Sequence, residues 1–306
     1  MGRDYLSVDD LSPDELAHLL DLSAKVKAQP GDHAERLRGK AVALIFEKPS
    51  TRTRVSFEVA VSSCAGHPVP LSSSDLQLGR GETIEDTGRV LSRYVDAIVL
   101  RTFKQERLEV LAGAATVPVV NALSDFEHPC QCLADLLTMR ETKGELVGLT
   151  LTYLGDGNNV THSLLLGGAK AGMHVRAATP PGFEPIPQVV QRASEIAAAT
   201  GGSVTVTHDP VEASRGADVL YTDVWASMGQ EEEAEERALV FPAYTLGADK
   251  VAVAKDDVVV MHCLPAHRGL EIAAEVIDGP HSVVWDQAEN RMHTQKALLL
   301  WLLELA

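Results

Sequence analysis

The stretch Phe46-Glu47-Lys48-Pro49-Ser50-Thr51-Arg52-Thr53-Arg54-Val55-Ser56-Phe57 leaves few ways for the chain around it to fold. Ahead of it, Ala41-Val42-Ala43-Leu44-Ile45-Phe46 is an unbroken apolar run of buried-strand length. Behind it, Phe57, Ala60, Val61 and Cys64 recur at helical spacing until Gly66 ends the pattern. The local reading is strand, turn, helix, with Ser50 as the N-cap. A helix start presents unpaired N–H groups and partial positive charge, so it attracts anions. Ser50, Thr51, Arg52 and Thr53 crowd that turn with further donors, and a guanidinium's planar fork matches phosphate oxygens. A capped helix with two solvated arginines would also satisfy these residues. So many donors directly after a buried strand favour an anion site of the phosphate type.

The rest of the chain sets the frame for such a site. Its 306 residues suggest two domains, and 45% hydrophobic with 23% charged residues is an ordinary globular composition. A net charge of -16 argues against nucleic acid as a partner, because phosphate neutralisation needs a basic face. It leaves room for a small anion held by a local arginine cluster. No run is long enough to span a membrane, and the polar, acidic N-terminus does not read as a signal peptide. Cys64, Cys130, Cys132 and Cys263 have neither a disulfide-framework spacing nor paired metal-ligand spacing. A cytoplasmic protein without a structural metal is expected.

Strand-like and helical patterns alternate throughout. Ser12-Pro13-Asp14-Glu15 opens a first helix. His67 to Leu71, with two prolines, fits only an edge strand, and the polar stretch Ser72 to Glu82 reads as an exposed loop. Further strands are expected at 95–100, 117–121, 149–154, 173–178, 203–207, 219–222, 258–262 and 283–285. Helices are expected from Pro129 to about Glu141 and from Ala288 to Leu303. Glu231, Glu232 and Glu233 with Glu235 and Glu236 read as a solvated charge run. The fold class is α/β: two domains, each a mostly parallel sheet flanked by helices, joined by crossing helices. The boundary is placed at residues 145/146, with the last helix (288–306) packing back on the first domain.

Four more strings could carry chemistry. His128-Pro129-Cys130-Gln131 starts a helix with Pro129 in its favoured first position, and His128 and Gln131 could serve either packing or a ligand. Gly155-Asp156-Gly157-Asn158-Asn159-Val160 lies between a strand and a helix, the context of a dinucleotide fingerprint. Val160 stands where that fingerprint needs a third glycine or alanine, and no acidic residue ends the next strand, Arg176-Ala177-Ala178-Thr179. A nicotinamide-dependent dehydrogenase is therefore the weaker rival. Asp223-Val224-Trp225-Ala226-Ser227-Met228-Gly229-Gln230 and His262-Cys263-Leu264-Pro265 each follow a strand, where ligands gather in open α/β sheets. An acidic residue at 223 suits an amino acid's α-ammonium.

Taken together and in order, from Phe46 to Thr294, these strings resemble the aspartate/ornithine carbamoyltransferase family, on its ornithine side. The Ser-Thr-Arg-Thr-Arg signature is shared by both branches. The Asp-x-Trp-x-Ser-Met-Gly-Gln and His-Cys-Leu-Pro strings are specific to the ornithine enzymes. The resemblance implies transfer of the carbamoyl group of carbamoyl phosphate to the δ-amine of L-ornithine, giving L-citrulline and phosphate. It assigns the phosphate to Ser50, Thr51, Arg52 and Thr53, with Gln77 from a neighbouring subunit. Arg101, His128 and Gln131 fall on the carbamoyl group, and Arg291 also reaches that site. Asn159, Asp223, Ser227 and Met228 hold the amino acid. Cys263 and Leu264 lie beside the carbamoyl and δ-nitrogens, and Arg101, His128, Asp223 and Cys263 are the catalytic set. The family assembles as trimers or multiples of trimers and uses no metal or organic cofactor. Putrescine or an N-acylated ornithine in place of ornithine, and an inactive metabolite-binding relative, are the alternatives within this resemblance.

Overall fold

A computed structural model of the protein describes residues 3–72, 81–226 and 234–306. Gln77, Ser227 and Met228 lie outside these, as do most of the 72–82 loop and the acidic run at 231–233. The chain divides into two compact units, Met1–Leu137 with Glu289–Ala306, and Thr138–Ala288.

The first unit contains α1 (Pro13–Ala28), β1 (Ala41–Phe46), α2 (Thr51–Ser62), β2 (His67–Ser72), α3 (Ile84–Leu91), β3 (Ala97–Arg101), α4 (Gln105–Ala114), β4 (Val119–Leu123) and the start of α5 (Pro129–Lys143). Ser12 caps α1 through a reciprocal pair with Glu15, as its sequence requires. The sheet is wholly parallel in the order β2-β1-β3-β4. β1 is apolar along its whole length and β3 up to Arg101, because they are covered on both faces. The two prolines of β2 are tolerated at the edge, where a ladder donor can be missing.

The second unit begins within α5 and continues with β5 (Thr150–Leu154), α6 (Asn159–Lys170), β6 (His174–Ala178), α7 (Pro187–Thr200), β7 (Ser203–Thr207), α8 (Pro210–Ser214), β8 (Val219–Thr222), α9 (Ala234–Val240), α10 (Ala248–Val251), β9 (Val259–His262) and α11 (Ala274–Ile277). Its parallel sheet has the order β7-β6-β5-β8-β9. The last helix, α12 (Val284–Leu302), starts in this unit and ends in the first, so α5 and α12 are the two connections between them.

One expected strand is absent. Residues 283–285 are not a strand: Ser282 makes a single parallel bridge to Val260, and the helix begins at Val284. Two adjacent valines and a tryptophan carry strand propensity, but only one residue lies against β9 before the chain turns helical. Among the described residues, no helix is long and apolar enough to cross a membrane.

Each sheet has one place where the strand order reverses. In the first it lies at the carboxyl ends of β1 and β3, in the second at those of β5 and β8. Open α/β sheets bind ligands in the crevice at such points.

Candidate active site

In the first unit, β1 delivers the chain to Ser50, whose hydroxyl accepts the Thr53 N–H at 3.3 Å and caps α2. Lys48, buried in the preceding turn, donates to Asp125 at 2.9 Å and stands over the Phe103 ring at 4.3 Å. The two arginines of the signature part company. Arg54 is exposed and bonded to Glu58 one turn on, while Arg52 is half-buried and within electrostatic reach of His128.

Phe46 pairs in register with Arg101 at the end of β3, and the Glu47 N–H donates to the Arg101 carbonyl at 2.9 Å. Arg101 is thereby placed beside the helix start. The Glu47 carboxylate meanwhile holds Arg107 and the Thr102 hydroxyl. His128 is buried just before α5. Burial first, then the charges of Arg291, Arg101 and Arg52, press its imidazole well below the usual histidine range. It is a neutral ring among three guanidinium groups, with one N–H to donate.

From the far end of the chain, Arg291 on α12 donates to Gln131 Oε1 at 2.5 Å and to the Thr53 hydroxyl at 2.7 Å. Gln131 donates in turn to the buried Asp135 at 2.8 Å. These bonds fix the amide with its oxygen toward Arg291 and its nitrogen toward Asp135. A cleft lined by Phe46, Glu47, Lys48, Pro49, Ser50, Thr51, Arg54, Val55 and Ser72 opens beside the helix start.

In the second unit, Leu154, Thr222 and His262 form one row across β5, β8 and β9. The residues that follow, Gly155, Asp223 and Cys263, therefore leave the sheet at the same level. The Cys263 thiol donates to Asp223 Oδ1 at 2.9 Å, and the Asn158 amide donates to Asp223 Oδ2 at 3.0 Å. Asn158 also caps α6, its side-chain oxygen accepting from Val160 and Thr161. Gly157 carries no side chain because residues 183–185 pack on it: a Cβ there would sit 2.2 Å from the Pro185 nitrogen. That glycine serves chain packing, so the close backbone approach a pyrophosphate needs at this position is blocked.

His262 is buried behind Cys263. Its Nδ1 accepts the Leu264 N–H at 2.8 Å, so the proton belongs on Nε2, which faces Glu271 at 3.2 Å. Burial alone would raise the Glu271 carboxyl, but hydrogen bonds from His262 and from the His267 N–H outweigh it and hold it below the usual range. Leu264 has a φ of 58°, a left-handed conformation uncommon for leucine, held in part by that bond to His262. The ligand atoms of Asp223, His262 and Cys263 lie within 4.8 Å of one another and could gather around a cation. A cation would have to displace the thiol's bond to Asp223 and one of the histidine's two bonds.

The structure thus brings Ser50, Thr53, Gln131 and Arg291 together by direct bonds or through the cap, with Arg52, Arg101 and His128 around them. Thr51 is exposed on the same turn. Asp223 and Cys263 are bonded, and Leu264 follows them. Asn159 is the first residue of α6, but the amide on Asp223 belongs to Asn158, a residue the sequence reading passed over. Its signal was available, since asparagine before an apolar helical run is a favoured N-cap. Asp135 and Glu271 were also missed, and nothing local marks them, while His262 was read as part of a strand-end string but given no role.

Two family models match the chain. The aspartate/ornithine carbamoyltransferase carbamoyl-P binding domain matches residues 3–141, and the Asp/Orn binding domain of the same family matches residues 147–302. The chain is 63% identical over 306 residues to the ornithine carbamoyltransferase of Parafrankia sp. (strain EAN1pec), covering 99% of this chain and 96% of that one. The solved ornithine carbamoyltransferase from Pyrococcus furiosus has the same fold with a TM-score of 0.95 and 54% identity, covering 98% of this chain and 96% of that one. An anabolic ornithine carbamoyltransferase from Campylobacter jejuni matches at a TM-score of 0.93 and 36% identity, with 98% of both chains covered. Two parallel α/β units, each with a polar cluster at its switch point, are the framework of a two-substrate transferase. The chain belongs to the aspartate/ornithine carbamoyltransferase family.

Proposed function

We propose that the protein transfers the carbamoyl group of carbamoyl phosphate to the δ-amine of L-ornithine, releasing phosphate and L-citrulline, a step of arginine biosynthesis. The observation that carries this reading is the neutral His128 among Arg52, Arg101 and Arg291 at a capped helix start. Three cations suit a phosphorylated substrate, and an uncharged imidazole can donate to a carbonyl oxygen without competing for the phosphate. The second unit supports the other half, because Asp223 offers a carboxylate to an α-ammonium while Cys263 and Asn158 hold it in place.

The chemistry follows from these roles. Ser50, Thr51, Arg52 and Thr53 take the phosphate at the helix N-terminus, with Gln77 supplied by a neighbouring subunit. Arg101, His128 and Gln131 polarise the carbamoyl group, and Arg291 braces Gln131 and Thr53. The neutral δ-nitrogen attacks the carbonyl carbon, negative charge collects on its oxygen, and these donors stabilise it. The C–O bond to phosphate then breaks, and the amine's proton leaves with phosphate. Asp223, Asn159, Ser227 and Met228 orient ornithine, with Cys263 and Leu264 beside the attacking nitrogen. No metal or organic cofactor takes part in these steps, and positioning supplies much of the rate.

In this reading residues 1–145 form a carbamoyl phosphate domain and residues 146–306 an ornithine domain whose last helix belongs with the first; the compact units divide instead within α5, at 137/138. A cytoplasmic trimer, or a multiple of one, fits this assignment. Val55 and Val59, one turn apart on α2, are exposed apolar residues consistent with self-association. A ureido-product assay with ornithine, putrescine and N-acetylornithine, which would give citrulline, N-carbamoylputrescine and N-acetylcitrulline respectively, tests the function, and analytical ultracentrifugation tests the assembly. Ornithine should be preferred; a preference for either other amine moves the protein to another acceptor, and absence of a ureido product with all three defeats the reading.

A further inference from the structure

Arg237, on α9, is 5% exposed and lies outside the residues assigned above to the substrates. Its Nη1 donates to Asp156 Oδ2 at 2.7 Å and to the Trp225 carbonyl at 2.6 Å. Its guanidinium lies 4.9 Å from the Phe183 ring centre and 5.7 Å from that of Phe241, which itself meets Trp225 at 5.8 Å. Asp156 precedes Asn158 by two residues, and Trp225 follows Asp223 by two. The turns after β5 and β8 are therefore joined by the Asn158–Asp223 bond and also through Arg237. Removing the arginine would take away the second of these ties.

We infer that Arg237 is a positioning residue that fixes Asp223 against Asn158 and thereby sets the affinity for the amino-acid substrate. The inference rests on the ornithine reading above. Its physical basis is the geometry of the guanidinium, which is planar, permanently charged and able to serve two acceptors while stacking on rings. A lysine at the same place would keep the charge and could donate, but would lose the planar stacking on Phe183 and Phe241. Buried ion pairs contribute less to net stability than to a defined arrangement, which is the role assigned here.

The test compares wild type with Arg237→Met, Arg237→Lys and the double variant Asp156→Asn/Arg237→Met, by citrulline kinetics and by calorimetric titration with L-ornithine. Methionine keeps an apolar stem against Phe183 and Phe241 and removes both hydrogen bonds. Arg237→Met should raise the ornithine KM at least about tenfold while carbamoyl phosphate affinity stays within about twofold, and Arg237→Lys should recover part of the loss. The single substitution leaves the Asp156 carboxylate buried without its partner. The double variant removes that charge and should regain the wild-type Tm while keeping the raised ornithine KM. An unchanged ornithine KM in Arg237→Met, equal losses for both substrates, or a wild-type ornithine KM in the double variant overturns the positioning role. Wild-type protein that makes no citrulline overturns the proposed reaction instead, and the ornithine titrations then decide the role of Arg237 by themselves.

Discussion

The two units place their polar clusters at the same topological position and give them opposite characters. At the switch point of the first sheet, three arginines surround an imidazole kept neutral, and a helix N-terminus adds its partial charge. At that of the second, one carboxylate is the centre, and a thiol and an amide donate to it. The parallel sheet thus supplies the place, and the side chains at the strand ends supply the chemistry. The clusters also differ in reach. The first is assembled from residues as distant as Thr53 and Arg291, the second from residues that follow three neighbouring strands.

If that contrast governs function, damage to each cluster should be selective. The largest effect is expected at the carboxylate. Asp223→Asn leaves one oxygen to serve two donors and removes the charge for an α-ammonium, so kcat/KM for ornithine should fall at least about a hundredfold, or roughly 2.7 kcal/mol. Because remote binding positions the nucleophile, kcat should fall as well as KM rise. Carbamoyl phosphate binding to this variant should be near normal; a large loss there would blur the two clusters into one.

Arg52→Ala is the reciprocal experiment. It should weaken carbamoyl phosphate binding by about 1.5–3 kcal/mol, roughly ten- to a hundredfold, the range for a charge-assisted bond. Arg52 is half-buried on a turn, so thermal stability should change little. Unchanged calorimetric affinity would remove Arg52 from the anion site.

A third measurement varies pH. Ornithine's δ-amine has a reference pKa near 10.4, like lysine's, and only its neutral form attacks. With carbamoyl phosphate saturating, kcat/KM for ornithine should rise roughly tenfold per unit between about pH 6 and pH 8. His128 should add no limb of its own near neutral pH, since burial and its arginine neighbours hold it well below the ordinary value. A flat profile would speak against free-amine attack in the rate-limiting step.

The smallest effect is on stability. The unfolded chain protonates His128 near pH 6.5, the folded chain only at lower pH. Its contribution is therefore present above pH 6.5 and lost as pH falls toward the folded value, by at most about 1.4 kcal/mol per unit. Urea midpoints between pH 7 and pH 5 should fall less steeply in His128→Gln than in wild type. Equal slopes would mean that the imidazole is not held neutral by the first cluster.

Much of this was legible in the sequence because it depends on residues close together in the chain. The apolar run Ala41 to Phe46, the Ser50 cap, Pro129 at the start of α5 and the two prolines of the edge strand all act within a turn or a strand. The family strings located Asp223 and Cys263 for the same reason: each lies immediately after a strand whose apolar pattern is clear. The pattern at residues 283–285 misled, since strand propensity cannot tell one bridging residue from a ladder.

Bonds between distant residues were not legible. That Arg291 meets both Thr53 and Gln131 depends on where α12 returns to the first unit. That Asn158 donates to Asp223 depends on the turn by which α6 begins, and Arg237's hold on Asp156 and Trp225 depends on α9. Periodicity and capping bias backbone conformation over a few residues, so they determine the strands, the helix starts and the order of the motifs. Which side chains then share a hydrogen bond is decided by sheet register and topology, and these bring together groups that no local preference connects.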